Sequence, residues 1–217
     1  MITGKRISFL IGLLTLVALA TVMLPLTHVG AQSSKGDPLS RESILRDPEA
    51  PGAGNPKGDI TIIEWFDYQC PYCKKMNPDL LKTVREDGHI RLVFKDWPVF
   101  GAASTYAAKL VLATKYQNKY EQAHNALMAI NGRLSEDLGR ATLAQAGIDV
   151  ERAQRDLETH RKAIDTLLAR NDEQAAGLGF QGTPAFIIGQ FRVPGAIDVA
   201  NLKLAIKNAR TAAKAKR

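Results

Sequence analysis

The stretch FDYQCPYCKKMNP, residues 66–78, contains both cysteines of the chain, separated by two residues. The segment before it, DITIIEWF at 59–66, is rich in β-branched and aromatic residues and predicts a largely buried strand. The segment after it, KKMNPDLLKTVREDG at 74–88, has apolar residues at helical spacing up to its glycine. IRLVFKDWP at 90–98 predicts a second strand, which a proline ends. The cysteine pair therefore lies where a strand meets a helix in a β-α-β unit.

The two cysteines are poorly suited to a purely structural disulfide. The loop they would close is so short that closing it removes little entropy from the unfolded chain, and the ring is constrained. In disulfide exchange the nucleophile is a thiolate, which a helix N-terminus stabilises with free backbone N–H groups and the positive end of its dipole. Pro71 suits the first helical position. This predicts a partly exposed, attacking Cys70 and an inward-facing, resolving Cys73.

Other uses of the pair stay open on the residues alone. One is an inert, constrained disulfide, and another is half of a zinc site. Zinc takes about four ligands, however, and His89, His124 and His160 lack metal-ligand spacing. A cysteine hydrolase would need one nucleophile and a placed histidine, and a second cysteine beside the nucleophile argues against it. The sequence favours redox chemistry and predicts no metal.

Composition and the N-terminus predict an exported globular protein. A chain of 217 residues, 45% apolar and 24% charged, can bury one core of ordinary size. A short basic start precedes an uncharged run at 7–26, which predicts a signal peptide at 1–31 with cleavage after Ala31. The run is also about long enough to be an uncleaved membrane anchor. Both alternatives place residues 32–217 in the periplasm or outside the cell, where disulfides persist.

The net charge of +7 falls to +5 without the signal, because Lys5 and Arg6 are the only charged residues before Gln32. The excess is concentrated in basic C-terminal residues that no acid is expected to face: Lys203, Lys207, Arg210, Lys214, Lys216 and Arg217. Such a tail can contact phosphates or an anionic membrane, or it can be a solvated helix end that complements its own dipole. Basic and aromatic residues are not interleaved, so we predict no nucleic-acid partner.

Two further segments lie on either side of the β-α-β unit. Residues 32–58 are rich in Pro, Gly and Ser and predict an extended arm with a short helical turn around Arg41–Leu45. Helix formers dominate residues 101–178. Helix starts are expected there at Ser104, Ser135 and Asp149.

The end of the chain predicts a β-β-α arrangement. GTPAFIIGQFRV, at 182–193, has two short β runs joined at Gly189-Gln190, a spacing that suits a hairpin. The segment after Asp198 predicts a capped closing helix. Its expected core-facing residues are Val199, Leu202, Leu204 and Ile206.

EWFDYQCPYC, at 64–73, together with GTPAF, resembles the DsbA family of exported thiol:disulfide oxidoreductases. The resemblance covers residues from about 59 to 210. A CxxC alone is a weak signal, but CxxC after an apolar strand, followed by a helical block and by GTP before a late hairpin, is specific. It implies an α/β, thioredoxin-like fold. A β-α-β part at 59–100 and a β-β-α part with a basic tail at 179–217 would be interrupted by an all-helical insertion at 101–178.

The resemblance also implies roles for residues around the motif. Cys70 would be the nucleophile, Cys73 the resolving thiol, and Pro71-Tyr72 the dipeptide that tunes the thiolate. The Thr183–Pro184 bond would be cis, and backbone polar groups beside it would pair with a bound peptide, giving both residues a substrate-holding role. The alternative is an ordinary turn before a hairpin.

Two charged residues occur inside the predicted strands. The resemblance places at Glu64 a buried acid whose raised pKa lets it act as base for Cys73, with Lys95 as its possible partner. The alternatives are a solvated Glu64 on an edge strand and a Lys95 at a strand end.

The chain departs from the family pattern in ways that bear on function. Tyr72 stands where many DsbA-type oxidases have a thiolate-stabilising His, so a strongly oxidising potential does not follow. Thr183 resembles the isomerase and reductase relatives more than the oxidases, which often have Val there. Those isomerases usually dimerise through a separate N-terminal domain, for which residues 32–59 are too few, and we therefore predict a monomer.

Several aromatic residues near the motif are candidates either for an apolar groove that holds unfolded chains or for the core. They are Trp65, Tyr68, Trp97, Phe100 and Tyr106.

The sequence thus predicts an exported thiol:disulfide oxidoreductase, acting as an oxidase on cysteine-containing exported or unfolded proteins. Its only cofactor would be the Cys70–Cys73 disulfide, and a membrane redox partner would restore the pair. One alternative is a reductase or isomerase kept reduced by a membrane donor, since the same pair serves both directions. The others are a chaperone-like binding protein with an incidental disulfide and a glutathione-using transferase.

Overall fold

A mixed sheet forms the centre of the molecule, built from the β-rich stretches on both sides of the helical block. The computed structural model describes residues 37–215. The strands are β1 (Gly52–Gly54), β2 (Ile60–Phe66), β3 (Ile90–Asp96), β4 (Ala185–Ile188) and β5 (Phe191–Pro194). Their order is β1-β3-β2-β4-β5, with β2 and β3 parallel and the other neighbouring pairs antiparallel. The strand that leads into the cysteine motif, β2, is therefore the central one.

The helices begin and end largely where the sequence supplies caps. They are α1 (Arg41–Leu45), α2 (Pro71–Asp87), α3 (Ala102–Ala113), α4 (Tyr120–Met128), α5 (Glu136–Gln145), α6 (Val150–Thr159), α7 (Arg161–Gly177) and α8 (Val199–Lys214), with a 3-10 turn at Thr114–Gln117. Ser135, Asp149 and Asp198 each accept a hydrogen bond from a backbone N–H of the following helix. Gly88 ends α2 with φ 69°, a left-handed conformation that glycine adopts without strain. The predictions at these positions are confirmed.

Side-chain alternation along β2 divides the core into two layers. Ile62 and Phe66 belong to a large cluster with α2, α8 and the helical block. Ile63 and Trp65 belong to a smaller cluster under α1 and α7. Because the sheet is covered on both faces, β2 reads as a nearly continuous apolar run. The expected α/β architecture, with β-α-β and β-β-α parts around helices α3 to α7, is confirmed.

The segment interpreted as an extended arm is partly built into the fold. The short helix at Arg41–Leu45 is confirmed, but Gly52–Gly54 adds an edge strand to β3 that the sequence did not predict. A Gly-Ala-Gly tripeptide carries none of the β-branched or aromatic signal by which strands are recognised. A Cβ at Gly52 would lie 2.8 Å from the Leu92 carbonyl oxygen, so the close approach of β3 requires glycine here.

Two expectations about the helices are wrong. Helix α3 begins at Ala102 rather than Ser104, whose hydroxyl instead binds Asp67. Leu204 of α8 is exposed, whereas Leu202 and Ile206 are buried as predicted.

Two of the basic residues of α8 face acids, contrary to expectation. Arg210 donates to the carboxylates of Asp59 and Asp87, and Lys203 lies 3.7 Å from Glu86. These acids come from the start of β2 and the end of α2, which only the tertiary fold brings to α8.

The predicted signal peptide at 1–31 and the last two basic residues, Lys216 and Arg217, lie outside the described residues. Between residues 37 and 215, no helix is both long and apolar enough to cross a membrane.

Candidate active site

Cys70 and Cys73 lie at the junction of β2 and α2. Cys70 is the N-cap of α2, with an extended backbone, and Pro71 occupies the first helical position, as expected. The Cys70 sulfur accepts a hydrogen bond from the backbone N–H of Cys73 at 3.4 Å. Both cysteines are free thiols. The helix therefore directs an N–H group and the positive end of its dipole at the sulfur of Cys70.

Both thiols are more enclosed than expected. The exposed fraction is 1% for Cys70 and 0% for Cys73, whereas Tyr72 between them is 62% exposed. The expectation of a partly exposed Cys70 is therefore wrong for this state. In its protonated form the Cys70 thiol donates to the carbonyl oxygen of Thr183 at 3.2 Å, so the segment before β4 covers it. An incoming sulfur has to displace this contact.

The Thr183–Pro184 peptide bond is cis, as the resemblance implies. Pro184 directly precedes β4, whose first residue, Ala185, pairs with Trp65 of β2. This pairing brings the loop beside Cys70. Within the described part of the chain, the buried Thr183 hydroxyl has no hydrogen-bond partner.

The residues predicted to tune the thiolate and to hold substrate share one surface. Tyr72, Thr183 and Pro184 line an open cavity of about 500 Å³, together with Pro194 at the end of the hairpin. The cavity adjoins the reactive pair, so a polypeptide bound there would present its sulfur to Cys70.

The two thiols have opposite electrostatic environments. Hydrogen bonding to the side chain of Cys73, with further contributions from the nearby Thr183 side chain and from backbone N–H groups, lowers the pKa of Cys70 to about 6 although burial opposes this. Burial, then hydrogen bonding to Cys70 and the charge of Glu64, raises the pKa of Cys73 far above its ordinary value. At neutral pH Cys70 is therefore mostly a thiolate and Cys73 a thiol.

Glu64 is a buried acid on the central strand. It is 1% exposed, and neither carboxyl oxygen has a hydrogen-bond partner among residues 37–215. Burial, reinforced by the charge of Cys70, raises the pKa of Glu64 to about 8. The alternative of a solvated glutamate on an edge strand is wrong. Its charge acts on Cys73, which places a proton acceptor of suitable pKa near the resolving thiol.

The structure separates Lys95 from Glu64. Trp65, the neighbour of Glu64 on β2, is the residue that pairs with Lys95 on β3, so Lys95 projects from the opposite face of the sheet. There its ammonium lies 3.0 Å from Asp47, whose carboxylate also binds Arg170 at 2.8 Å. The predicted partnership of Lys95 with Glu64 is wrong, because residues one position out of register face different cores.

Asp67, at the end of β2, is a site residue that sequence reasoning missed. Its buried carboxylate accepts four hydrogen bonds, from the backbone N–H of Gln69 at 2.6 Å, Val99 at 2.7 Å and Phe100 at 3.0 Å and from the hydroxyl of Ser104 at 2.7 Å. Its backbone carbonyl accepts from the N–H of Cys70 at 3.1 Å. Asp67 thus joins the cysteine loop to the start of the helical block. An aspartate after a strand and before a turn was the available signal.

The aromatic residues near the motif mostly belong to the core. Three of the five candidates are buried: Trp65, Tyr68 and Trp97. Tyr106 is half-buried, and Phe100 is exposed. The hydroxyl of Tyr68 lies 3.2 Å from Nδ1 of the buried His124, so the aromatic layer has a polar partner. In the part of the chain that the structure describes, no cluster of His, Cys, Asp and Glu is arranged to hold a metal ion.

Curated proteins similar to this chain are of two kinds. The chain is 26% identical over 168 residues to the Na(+)/H(+) antiporter NhaA 1 of Salinispora arenicola, a match that covers 75% of this chain and 25% of that protein. It is 25% identical over 138 residues to the thiol:disulfide interchange protein DsbA of Bordetella parapertussis, covering 61% of this chain and 64% of that protein. The chain therefore spans about a quarter of the antiporter and somewhat under two thirds of the interchange protein.

Solved structures reproduce most of the fold. A thioredoxin-like oxidoreductase from Silicibacter pomeroyi is 38% identical, with a TM-score of 0.76 over 79% of this chain and 98% of that chain. The thiol-disulfide exchange protein alpha-DsbA2 from Wolbachia pipientis is 28% identical, with a TM-score of 0.72 over 77% and 90%. A periplasmic thioredoxin-like protein from Salmonella enterica serovar Typhimurium is 27% identical, with a TM-score of 0.66 over 77% and 94%.

Residues 61–207 match the family described as DSBA-like thioredoxin domain. This span includes the cysteine pair, the helical block, the Thr183–Pro184 loop and the first half of α8. The chain therefore belongs to the DSBA-like thioredoxin domain family.

Proposed function

We propose that this protein is an exported oxidase of thiols, which transfers the Cys70–Cys73 disulfide to cysteine-containing polypeptides outside the cytoplasm. The observation that carries the proposal is the inequality of the two thiols, with the pKa of Cys70 lowered to about 6 and that of Cys73 raised. A thiolate of low pKa leaves readily, so disulfides that contain Cys70 are good acceptors of electrons. The pair itself is the redox group of the reaction.

The proposed reaction has two exchange steps. A substrate thiolate attacks the Cys70 sulfur of the disulfide, forming a substrate–Cys70 bond while Cys73 leaves and takes up a proton. Glu64, mostly protonated at neutral pH because its pKa is raised to about 8, is the buried donor of that proton. A second substrate thiolate then attacks the substrate sulfur of the mixed disulfide, and Cys70 leaves as a thiolate. The substrate loses two electrons and the pair gains two.

Two circumstances support export. The N-terminal sequence has the layout of a signal peptide or anchor, and a similar solved protein is periplasmic. In an oxidising compartment a membrane redox partner would restore the disulfide, and the protein would act as a monomer on unfolded chains.

Thr183 and Tyr72 favour a second candidate, a reductase or isomerase kept reduced by a membrane donor. The reduction potential of the Cys70–Cys73 pair decides between the directions and is measured by equilibration with glutathione buffers and thiol alkylation. We expect a value of about −120 to −180 mV. A value of about −230 to −270 mV would instead support the reductase or isomerase.

The exchange activity itself is tested with a fluorescent dithiol peptide and the oxidised protein. We expect rapid peptide oxidation, its loss in Cys70→Ser, and a trapped peptide–protein disulfide at Cys70 when Cys73→Ser is mixed with an activated peptide. A protein with both cysteines replaced by Ser that still promotes client folding as well as the parent would favour the chaperone alternative. Glutathione-dependent turnover that survives the loss of Cys73 would favour the transferase.

A further inference from the structure

A second open cleft begins at Pro71 and follows α2. It has a volume of about 680 Å³ and shares no lining residue with the cavity beside Thr183 and Pro184. Its other wall is the end of α4 and the loop at 129–132. The floor is apolar, because Leu81, Met128 and Ile130 line it and are nearly buried. The cleft is therefore an apolar groove that starts at the end of α2 where the cysteines lie.

The cleft has positive walls. Lys74, Lys75 and Arg85 line it, and none of the described residues that line it carries a carboxylate. Lys74 donates to the carbonyl oxygen of Gly132 at 3.1 Å, which holds this lysine across the cleft. Lys75 and Arg85 are exposed and have no ion-pair or hydrogen-bond partner within residues 37–215. The positive charge of the cleft is therefore uncompensated.

The two lysines are unfavourable for α2 itself. No acidic residue occupies the first turn of this helix, and Lys74 and Lys75 lie in or just after it. Cations near the positive end of a helix dipole are destabilising for the helix. Farther along α2, by contrast, Lys82 lies 3.8 Å from Glu86. The lysines near the N-terminus are thus better explained by something outside the helix.

A polypeptide joined to Cys70 reaches these cations. Along the helix axis Lys75 lies about 8 Å and Arg85 about 22 Å beyond Cys70. An extended chain advances about 3.3 Å per residue. Substrate side chains about two or three residues and about seven residues from the reactive cysteine would therefore meet Lys75 and Arg85.

We propose that this cleft binds an acidic, extended segment of the substrate polypeptide next to its reactive cysteine. Lys75 and Arg85 pair with substrate carboxylates, and the apolar floor takes the side chains between them. The inference rests on the exchange activity proposed above and narrows its substrates to cysteine-containing chains with acidic residues on one side of the cysteine.

The test compares three dithiol peptides that differ only in residues flanking the reactive cysteine. These residues, about two or three and about seven positions away from it, are acidic, neutral or basic. The second-order rate constant for peptide oxidation by the oxidised protein is measured at low and at high salt. Steering by complementary charge raises association rates by about tenfold or more and is screened by salt. We expect the acidic peptide to react roughly tenfold faster than the basic one at low salt.

A matched pair of double variants separates the cleft from the overall charge. Lys75→Gln with Arg85→Gln should abolish the preference for the acidic peptide over the basic one at low salt. Lys82→Gln with Lys203→Gln removes the same charge from residues beside Glu86, outside the cleft, and should keep the preference. Equal rates for acidic and basic peptides would contradict the proposed binding in the cleft. So would an equal loss of the acidic preference in both double variants. If no peptide reacts with the parent protein, the exchange activity is overturned and the cleft with it.

A competition experiment tests whether the cleft binds an acidic peptide specifically or any anion. An acidic peptide with Ser in place of both cysteines should slow oxidation of the acidic dithiol peptide, whereas inorganic phosphate at the same ionic strength should not. Equal slowing by phosphate would mean that the cleft takes anions without regard to the chain that carries them, contrary to the proposal.

Discussion

At the scale of single residues, a few contacts make two identical thiols chemically different. Cys70 sits at the end of α2 and receives the N–H of Cys73, with the Thr183 segment against it. Cys73, one turn into the helix, is fully buried and experiences the charge of Glu64. Since only one of the two ionises at neutral pH, their surroundings favour the proposed order, in which Cys70 attacks and Cys73 resolves.

Thr183→Val should raise the pKa of Cys70, because the Thr183 side chain contributes to lowering it and its hydroxyl, which has no other partner among residues 37–215, can turn to donate to the thiolate. The loss of one such bond corresponds to about 1 kcal/mol, or roughly 0.7 pKa unit. The ultraviolet absorbance of the thiolate as a function of pH measures it. Thr183→Ser, which keeps the hydroxyl, serves as the control and should leave the pKa nearly unchanged. An unchanged pKa in the Val variant would show that the hydroxyl has no part in stabilising the thiolate.

Glu64→Gln should slow the step in which Cys73 must lose a proton. In the parent, release of a peptide from a mixed disulfide with Cys70 should accelerate as pH rises through about 8, where Glu64 becomes a base. The variant should lack this inflection and be slower by on the order of tenfold or more. Stopped-flow release of a fluorescent peptide from pH 6 to 10 provides the measurement. Glu49→Gln, a surface change, is the control, and an inflection that persists without Glu64 would assign it to another group.

At the scale of elements, the end of β2 organises everything that surrounds the cysteines. Asp67 accepts hydrogen bonds from the loop before α3 and from the Ser104 hydroxyl, and its carbonyl accepts the N–H of Cys70. One side chain therefore positions the start of α2 against the start of the helical block. Because the buried Asp67 carboxylate accepts four hydrogen bonds, its position is closely fixed. The cysteine loop, which is bonded to Asp67, is therefore held firmly in place.

Asp67→Asn should destabilise this junction. The amide nitrogen would face the N–H groups of Val99 and Phe100, leaving two donors without an acceptor, at a cost of about 1–3 kcal/mol. Urea unfolding gives the free energy, and hydrogen exchange of those two amides gives the location. Ser104→Ala removes the bond to Asp67 and a longer one, at 3.4 Å, from the Gln69 side-chain amide, and should cost about 1 kcal/mol. Unaltered exchange at Val99 and Phe100 would contradict the assignment.

At the scale of the whole molecule, a buried ion cluster joins three distant parts of the chain. Asp47 comes from the segment before β1, Lys95 from β3 and Arg170 from α7. Although burial opposes it, hydrogen bonding from Arg170 and the charge of Lys95 hold the pKa of Asp47 below its ordinary value. The N-terminal segment is thereby fastened to the face of the sheet opposite the active site.

Asp47→Ala should be severely destabilising, because it leaves the ammonium of Lys95 buried without its carboxylate. We expect a loss of about 3–5 kcal/mol in the free energy of unfolding. Adding Lys95→Met should recover much of this loss, since an apolar chain suits the buried position. Glu49→Ala, which breaks an exposed ion pair to Lys115, should cost under about 1 kcal/mol. If Asp47→Ala and the double variant with Lys95→Met lose similar free energies of unfolding, the unpaired Lys95 charge is not the cause of the destabilisation.

The redox state should change how stability depends on pH. In the reduced protein the pKa of Cys70 is lowered to about 6, compared with about 8.5 in an unfolded chain. A depressed pKa stabilises the fold above the unfolded value, and this contribution is lost as pH falls through about 6. The difference in unfolding free energy, reduced minus oxidised, should rise by up to about 1.4 kcal/mol per pH unit between these values. Burial raises the pKa of Asp96 to about 7 in both forms, so its contribution largely cancels, and that of Glu64 cancels except for the part of its shift caused by the Cys70 charge. Parallel urea titrations from pH 5 to 9 check this, and a constant difference would contradict the lowered pKa.

Much of the fold can be predicted from the sequence, because the signals lie in neighbouring residues. The strand before the cysteines, Pro71 at the first helical position, Gly88 at the end of α2, and the caps at Ser135, Asp149 and Asp198 all depend on residues within one turn. These signals and the paired cysteines suffice to predict the β-α-β unit, the helical block, the hairpin and the position of the reactive pair. The sequence did not predict the edge strand at Gly52–Gly54, because this segment becomes a strand by pairing with β3 and has no local strand signal of its own.

What the sequence by itself determined is the order of elements and the chemistry of the cysteine pair, since periodicity and capping are properties of neighbouring residues. Only the tertiary structure decided which charges meet. Lys95 pairs with Asp47 rather than Glu64 because the sheet sends them to opposite faces, and Thr183 covers Cys70 because β4 pairs with β2. Contacts between distant residues depend on register and on the face each side chain occupies, which a pattern along one segment does not contain.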